Sequence, residues 1–316
     1  MLKLCTRDSV SQKDWDMFVL NHPHGTFWHT WAWVDYLMLY QAANADRSLV
    51  IIDHDDPHVI HAIIVLVEEN KAFYPNGGEG CPAPLLPTLE GYTKDQKQLF
   101  INIHEELSQK GLWFTAWPSP YRQKNIVWPN LHFNMHKLRD HAVIDLSVGE
   151  QAAWLKVRKS YRPLINKAKR ERFSLFCPGQ CRQYFGNFHH AHLAERGRSR
   201  TEATWYIMEE WIQTNQASLL VVVDNNYDEV GYAYFIHCGG VAYYASAVYL
   251  EKNIAHFMIW EAIQYFKRHQ FKFLDLGVVG KHEDEKQQHI AFFKSGFGHD
   301  ACPEIRVSLK SIGVKT

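Results

Sequence analysis

The stretch from Ala242 to Gly298 decides the fold, and it opens with an apolar run at 242–249, AYYASAVY, which is typical of a strand. After a polar turn at 250–253, apolar residues recur every three or four positions and predict a helix over 254–269: Ile259, Ala262, Ile263 and Phe266. A second strand of buried type, FKFLDLGVV, follows at 271–279. Strand, helix and strand in this order predict a βαβ crossover, which brings a ligand-binding turn to a helix N-terminus.

Length and composition indicate a soluble globular protein with about two domains. The chain has 316 residues, of which 46% are hydrophobic and 22% are charged. Its longest apolar runs, such as 63–67 and 219–223, are too short to span a bilayer, and the N-terminus lacks a signal-peptide pattern. The six cysteines are scattered, which favours reduced thiols and a cytoplasmic location. The net charge is zero, which argues against nucleic-acid binding over the whole surface.

The order of predicted elements repeats along the chain. The first half reads as helix, hairpin, helix and strand, and the second half as helices, hairpin, helix and strand. The hairpin of the first half is predicted over 48–53 and 59–67. At 147–150 the pattern S-x-x-E predicts a capping box at the start of a helix. These features predict two α/β domains, at 1–145 and 146–316.

Several motifs of the second half resemble the FemAB-like branch of the GNAT N-acyltransferases: the strand with Tyr243-Tyr244, the helix with Trp260-Glu261-Ala262, FLDLG at 273–277 and FKSGFG at 293–298. The resemblance covers the chain well from about residue 140 and the earlier part in outline. It implies two GNAT-like lobes, each a mixed, mostly antiparallel sheet flanked by helices. It also implies transfer of an acyl group from acyl-CoA, or of an aminoacyl group from tRNA, to an amine.

Three residues of this stretch are candidates for catalysis. Lys294 lies among phenylalanines that would exclude water, so its charge is suited to stabilising an oxyanion, although it could also be a surface lysine. Asp275 interrupts an apolar strand, so it is either a general base or the partner of a buried Arg or Lys. Tyr243, Tyr244 and Tyr249 are alternatives for a general acid, and Tyr244 is our first candidate.

The segment 154–172 concentrates positive charge. It carries eight basic residues and one acid, which leaves 26 basic and 33 acidic residues in the rest of the chain. Pro163 predicts a kink here or a new helix that starts near Arg162. A solvated basic face is the simplest interpretation. The pattern W-x-x-x-R-K-x-x-R also resembles the family's helix that faces the acceptor's phosphates, and it implies that role for Arg158, Lys159 and Arg162.

Further positions complete the candidate site. The resemblance implies that the acyl donor binds at the start of the crossover helix, at Asn253, Ile254 and Ala255, although the glycine-rich loop of ordinary acetyl-CoA enzymes is absent. Arg198 and Arg200 lie in a basic loop that either contacts an anionic substrate or is merely solvated. His29, in an F-x-H-T-x-x-W segment that is common in the family, either lines a cleft or packs in the core. Cysteines 177 and 181 and the histidines after them lack the spacing of a zinc site, so no metal is predicted.

The sequence therefore predicts an N-acyltransferase that moves an acyl group from acyl-CoA to an amino group. The expected acceptor is a small, phosphate-bearing precursor of the cell envelope, such as an amino sugar or a peptide, with or without a linked nucleotide. Two alternatives stay open. One is an aminoacyl ligase that uses aminoacyl-tRNA, and the other is a catalytically silent GNAT-like module that binds nucleic acid through its basic helix. The oligomeric state does not follow from the sequence.

Overall fold

The structure is a computed structural model, and it describes most of the chain: residues 1–40, 44–69, 81–87, 91–109, 112–116, 133–179, 181–197, 200–251, 254–280, 284–298 and 300–309. Two compact units emerge, Met1–Leu138 with Pro303–Thr316, and Arg139–Cys302. The domain boundary near residue 145 stays a prediction, because compactness alone does not delimit a part that folds independently. No helix in the described ranges is long and apolar enough to cross a membrane.

The first unit is mixed α/β. Its described helices are α1 (Gln12–Asn21), α2 (Trp31–Tyr40) and α3 (Lys94–Gln109). Its strands are β1 (Leu2–Thr6), β2 (Asn44–Asp46), β3 (Leu49–Asp53), β4 (Ile60–Ile64), β5 (Val67–Glu69), β6 (Cys81–Pro82) and β7 (Trp113–Ala116). β3 pairs with β1 and β4 in antiparallel fashion, which confirms the predicted hairpin.

The second unit is built on one sheet with helices around it. Its strands include the part of β8 (Phe133–Asp145) from Arg139 onward, β9 (Ser174–Phe176), β10 (Ala217–Val223), β11 (Glu229–Cys238), β12 (Val241–Tyr249) and β13 (Phe273–Val279). The chain continues after it into β14 (Asp300–Leu309). The helices are α4 (Glu150–Lys156), α5 (Arg162–Arg170), α6 (Arg182–Arg196), α7 (Glu202–Gln213), α8 (Ile254–Arg268) and α9 (Glu285–Lys294), and a 3₁₀ turn, Ser295–Phe297, follows α9.

In this sheet the strand order is β8-β13-β12-β11-β10-β9. β12 and β13 run parallel, and the other described neighbours run antiparallel. α8 connects β12 to β13, so the predicted βαβ crossover is present, and its predicted apolar stripe is at most 2% exposed. The predicted fold class, α/β with mostly antiparallel sheets flanked by helices, is confirmed.

Alternate residues of β11 face two sets of helices. Ala233 and Phe235 pack in one core with α4, α5 and α8. Tyr232 and Tyr234 contact the ring of Phe188 on α6 instead. Both faces of the central strands are therefore covered, which explains why β10 and β11 read as almost continuous apolar runs.

The basic segment forms two helices rather than one. Pro163 lies in the first turn of α5, which begins at Arg162, as the sequence predicts. The predicted capping box at 147–150 is wrong. The N-cap of α4 is Gly149, without a side-chain cap, and the backbone N–H of Ser147 donates to Asp145 Oδ1 in a turn. Ser147 is too early in the chain to cap a helix that starts at Glu150.

Candidate active site

The two parallel strands of the second unit separate at their carboxyl ends. β12 and β13 pair from Val241↔Phe273 to Tyr243↔Asp275. Beyond this point β12 continues along β11 as far as Tyr249, and β13 continues along β8. Ligands commonly bind outside the carboxyl ends of parallel strands, next to the helix that follows.

Irregularities in both strands accompany this opening. In β12 Ala245 is an extra residue, because Tyr244 and Ser246 pair with the adjacent Phe235 and Tyr234. In β13 the register with β8 shifts between Asp275 and Val278. Such bulges redirect the side chains beside them and are frequent next to active sites.

Asp275 lies at the point of separation and pairs with a histidine. Its carboxylate is 3.0 Å from Nδ1 of His141 through Oδ2 and 3.3 Å through Oδ1, and Asp275 is 3% exposed. Oδ1 also accepts the backbone N–H of Gly277 at 2.6 Å. A buried carboxylate that holds one ring nitrogen of a histidine fixes the orientation of that ring, and the pair can hold or pass on a proton.

Cys302 lies close enough to the Asp275–His141 pair for the charge of the Asp275 carboxylate to act on its thiol. Burial raises the pKa of the Cys302 thiol to about 12, and the carboxylates of Asp275 and Asp140 add to the shift. The thiol therefore stays protonated near neutral pH, so it is not a nucleophile of this site.

Lys294, the last residue of α9, points toward the same place. A Cβ added to Gly277 would lie 3.0 Å from Lys294 Nζ, so the ammonium group rests against the backbone of β13 next to Asp275. Its Nζ is 6.0 Å from the centroid of the Tyr244 ring. Gly277 has a φ of +83°, which a residue with a side chain adopts only with strain. The absence of a side chain there makes room for the ammonium group.

Tyr244 is thereby singled out among the three tyrosines. Its hydroxyl is 2.8 Å from the hydroxyl of Tyr249 across the bulge, and both rings are partly buried. Tyr243 pairs opposite Asp275 and is 6% exposed. The structure thus brings together the three predicted catalytic residues, Lys294, Asp275 and Tyr244, and it adds His141, Gly277 and Tyr249.

The aromatic residues around Lys294 differ in burial. Phe297 is 1% exposed and Phe293 is partly buried, as a site that excludes water requires. Phe292 is 62% exposed, and the Arg158 guanidinium lies 3.8 Å from its ring centroid. Phe292 therefore does not shield Lys294 as the sequence suggests, because on α9 it faces away from the core.

The two arginines expected to bind phosphate both donate hydrogen bonds to protein groups. Arg158 donates to the carbonyl of Phe292 and the hydroxyls of Tyr161 and Ser295 at 2.8–3.1 Å. Arg162 donates to the carbonyls of Val157 and Leu155, at the end of α4. Arg158 and Arg162 thus contact protein groups, and their role as phosphate ligands stays a prediction. Lys159 is exposed, and its phosphate-binding role stays a prediction.

Of the remaining predicted ligands, His29 and Arg200 have described contacts with protein groups. His29 is 2% exposed and belongs to the first unit, where Nε2 is 2.8 Å from the Ala83 carbonyl and Nδ1 is 2.8 Å from Oγ1 of Thr26. It packs in the core rather than lining a cleft. Arg200 contacts His192 at 3.2 Å and lies 5.3 Å from the Trp205 ring centroid. Arg198 and Asn253 lie outside the described residues.

Next to the first turn of α8, which contains Ile254 and Ala255, the second unit has a cavity of about 720 Å³. Ile254 lines it, together with three basic side chains of the α5 region: Lys167, Arg170 and Arg172. Acidic side chains are present too: Glu171, Asp224 and Glu251. Lys167 and Glu171 form an ion pair at 3.6 Å. The cavity is thus polar and of mixed charge, beside the positive end of a helix dipole.

Solved structures share this fold. FemX is 9% identical and gives a TM-score of 0.66 over 98% of this chain and 98% of its own. L-PGS from Bacillus licheniformis is 12% identical, with a TM-score of 0.57 over 96% of this chain and 92% of its own. A conserved protein of unknown function from Bacteroides thetaiotaomicron is 10% identical, with a TM-score of 0.60 over 98% and 100%.

The fold is that of FemX. The resemblance to the FemAB-like branch of the GNAT superfamily is thereby confirmed at the level of the fold. Neither a protein-family model nor a curated protein sequence matches the chain.

Proposed function

We propose that this protein transfers an acyl or aminoacyl group to an amine. The observation that carries the proposal is the meeting of Lys294, Tyr244 and the Asp275–His141 pair where β12 and β13 separate. A cation can stabilise the oxyanion of acyl transfer, a phenol can act as the general acid, and a carboxylate–histidine pair can act as the general base. The fold shared with FemX adds support, since FemAB-like proteins act on amines.

The chemistry follows from these groups. The amine nitrogen attacks the carbonyl carbon of a thioester or ester, and the oxygen of the tetrahedral intermediate becomes negative. The ammonium group of Lys294 stabilises that oxygen in a partly buried site. The Asp275–His141 pair takes up the proton that the amine loses. As the C–S or C–O bond breaks, Tyr244 supplies a proton to the leaving thiolate or alkoxide, and an amide remains.

Acyl-CoA is the donor to test first. The first turn of α8 and the adjacent cavity, with Lys167, Arg170 and Arg172, are suited to phosphate groups of a donor. Aminoacyl-tRNA is the second candidate, because the turn before α8 lacks the glycines of acetyl-CoA enzymes. For the acceptor we propose a phosphate-bearing amine of cell-envelope metabolism, with Lys159 as one contact to its phosphate.

Calorimetric titration of the full chain with CoA, acetyl-CoA, a UDP-linked amino sugar and bulk tRNA tests these assignments. Binding of CoA and of the nucleotide sugar, with formation of an amide from acetyl-CoA, is the expected result. Binding of tRNA and transfer of its aminoacyl group would select the second donor. Binding of tRNA without any transfer would contradict an enzymatic role and favour the nucleic-acid-binding module.

A further inference from the structure

Residues on the loop between α4 and α5 hold the segment that carries Lys294. The carbonyl of Phe292 lies in the last turn of α9 and accepts three donors: Arg158 Nη1 at 3.1 Å, the Tyr161 hydroxyl at 3.3 Å and the Ser295 hydroxyl at 2.9 Å. Carbonyls in a last helical turn lack partners inside the helix, and a cation there also interacts favourably with the helix dipole.

The same loop also forms hydrogen bonds with the residues on the C-terminal side of Lys294. Arg158 Nη2 donates to Ser295 Oγ at 3.0 Å, and the backbone N–H of Arg158 donates to the carbonyl of Gly296 at 2.8 Å. Lys294 is therefore flanked on both sides by positions bonded to Arg158. Its backbone position is fixed by contacts that its own side chain does not make.

Packing reinforces this arrangement. Tyr161 is 6% exposed, and its ring lies so close to Gly296 that a Cβ at Gly296 would overlap it. The ring also packs 5.4 Å from that of Phe297 and 4.3 Å from that of His256, measured between centroids. Burial raises the pKa of Tyr161 above its ordinary value, so its hydroxyl keeps the proton that it donates to Phe292.

From these contacts we infer that Arg158 and Tyr161 are positioning residues: they hold the end of α9 so that the Lys294 ammonium group lies against Gly277, beside Asp275 and Tyr244. The inference rests on the proposed role of Lys294. Charge patterning does not suggest this role for the basic segment, because the contact joins Arg158 to Phe292, 134 residues further along the chain.

A matched control is available on the same loop. Arg162 also donates two hydrogen bonds to carbonyls at a helix end, but these belong to α4, and no described contact joins its guanidinium group to 292–296. Arg158→Gln and Arg162→Gln therefore remove the same charge and similar caps. They differ in whether the segment around Lys294 loses its anchor.

The test follows Lys294 directly and needs no substrate. Lysines of the full-length protein are ¹³C-methylated, and the Lys294 signal is identified by its absence in Lys294→Arg. We expect Arg158→Gln to shift this signal toward those of exposed lysines and Arg162→Gln to leave it in place. Tyr161→Phe, which removes one hydroxyl, should shift it in the same direction by less, and it replaces Arg158→Gln if that variant does not fold.

Turnover gives a second readout once a substrate is known. Misplacing a catalytic group by about 1 Å costs roughly 10²-fold, so Arg158→Gln should lower kcat by about that factor with KM little changed. An unmoved Lys294 signal in both Arg158→Gln and Tyr161→Phe would overturn the inference. Equal shifts in Arg158→Gln and Arg162→Gln would do so too. If the signal moves as expected but replacing Lys294 leaves turnover unchanged, the proposed catalytic role of Lys294 fails and the positioning contact stands.

Discussion

At the scale of single residues, Lys294 combines three properties that rarely coincide on a surface lysine. It is partly buried, it rests against a glycine backbone, and it lies near both an aromatic face and a carboxylate–histidine pair. A positive charge held in this way needs no reorganisation when a negative oxygen forms next to it.

Replacing Lys294 by methionine should leave the fold intact and lower turnover by roughly 10²-fold or more, the loss typical of removing one fixed oxyanion stabiliser. The measurement is kcat/KM together with circular dichroism. Lys286→Met is the control, since Lys286 is exposed in the first turn of the same helix. Equal activity in the two variants would return Lys294 to the role of a surface lysine.

His29 predicts a pH dependence of stability. Burial lowers its pKa from 6.5 to about 3. Below pH 6.5 the unfolded chain therefore binds a proton that the folded chain does not, and the folded state loses stability down to about pH 3. The free energy of unfolding of wild type minus that of His29→Gln should fall by about 1.4 kcal/mol for each unit by which the pH is lowered in this window. Urea titrations at several pH values measure it, and a constant difference would show that His29 is protonated in the folded state.

At the scale of elements, the bulge at Ala245 determines which way the end of β12 faces. Ser246 to Tyr249 follow the extra residue. Their side chains therefore point to the faces opposite to those that they would occupy if the same residues, Ala245 included, formed a regular strand. The contact between the hydroxyls of Tyr244 and Tyr249 depends on that phase.

Deleting Ala245 should change the site without removing a catalytic residue. Ser246 would then follow Tyr244 directly, so 246–249 keep their partners on β11 and Tyr249 stays on the face of Tyr244. The bend and twist that the bulge adds to β12 are lost, which should move the Tyr244 ring relative to Lys294 and lower turnover by roughly 10²-fold, the cost of misplacing a catalytic group by about 1 Å. Urea unfolding and turnover are compared with Ala245→Val, which keeps the residue count at an exposed position. If the deletion and the substitution behave alike, the bulge has no part in the site.

The sequence predicts these elements better than it predicts the contacts between them. The crossover of β12, α8 and β13 and the start of α5 at Arg162 follow from local periodicity and from Pro163. His141 was not anticipated, because its pairing with Asp275 depends on the register of two strands 134 residues apart. The charge pattern correctly marks the basic segment as unusual, but it does not show where a guanidinium group points. The sequence therefore does not predict the contacts that Arg158 makes with α9.

At the scale of the whole molecule, the chain order and the compact units differ. Residues 303–316 belong to the first unit, although they follow the second in sequence. Within that unit β14 pairs with β7, from Ile305↔Ala116 to Ser308↔Trp113. Residues 303–309 of β14 therefore belong to the same unit as the N-terminal strands.

Truncation after Cys302 tests this arrangement. Without β14, the backbone of β7 loses hydrogen-bond partners, and Phe114, which is 1% exposed, loses cover from Ile305. Amide hydrogen exchange at Trp113–Ala116 should speed up markedly, with β10 as the internal reference. Unchanged protection of β7 in the truncated chain would show that this unit does not need its C-terminal strand.

The close fit of Tyr161 on Gly296 has a consequence for the history of this protein. No side chain fits at position 296 while a large ring occupies position 161. Two such positions are expected to covary among related sequences, a small residue at 161 permitting a larger one at 296. Gly296 and Tyr161 should thus be inherited as a pair.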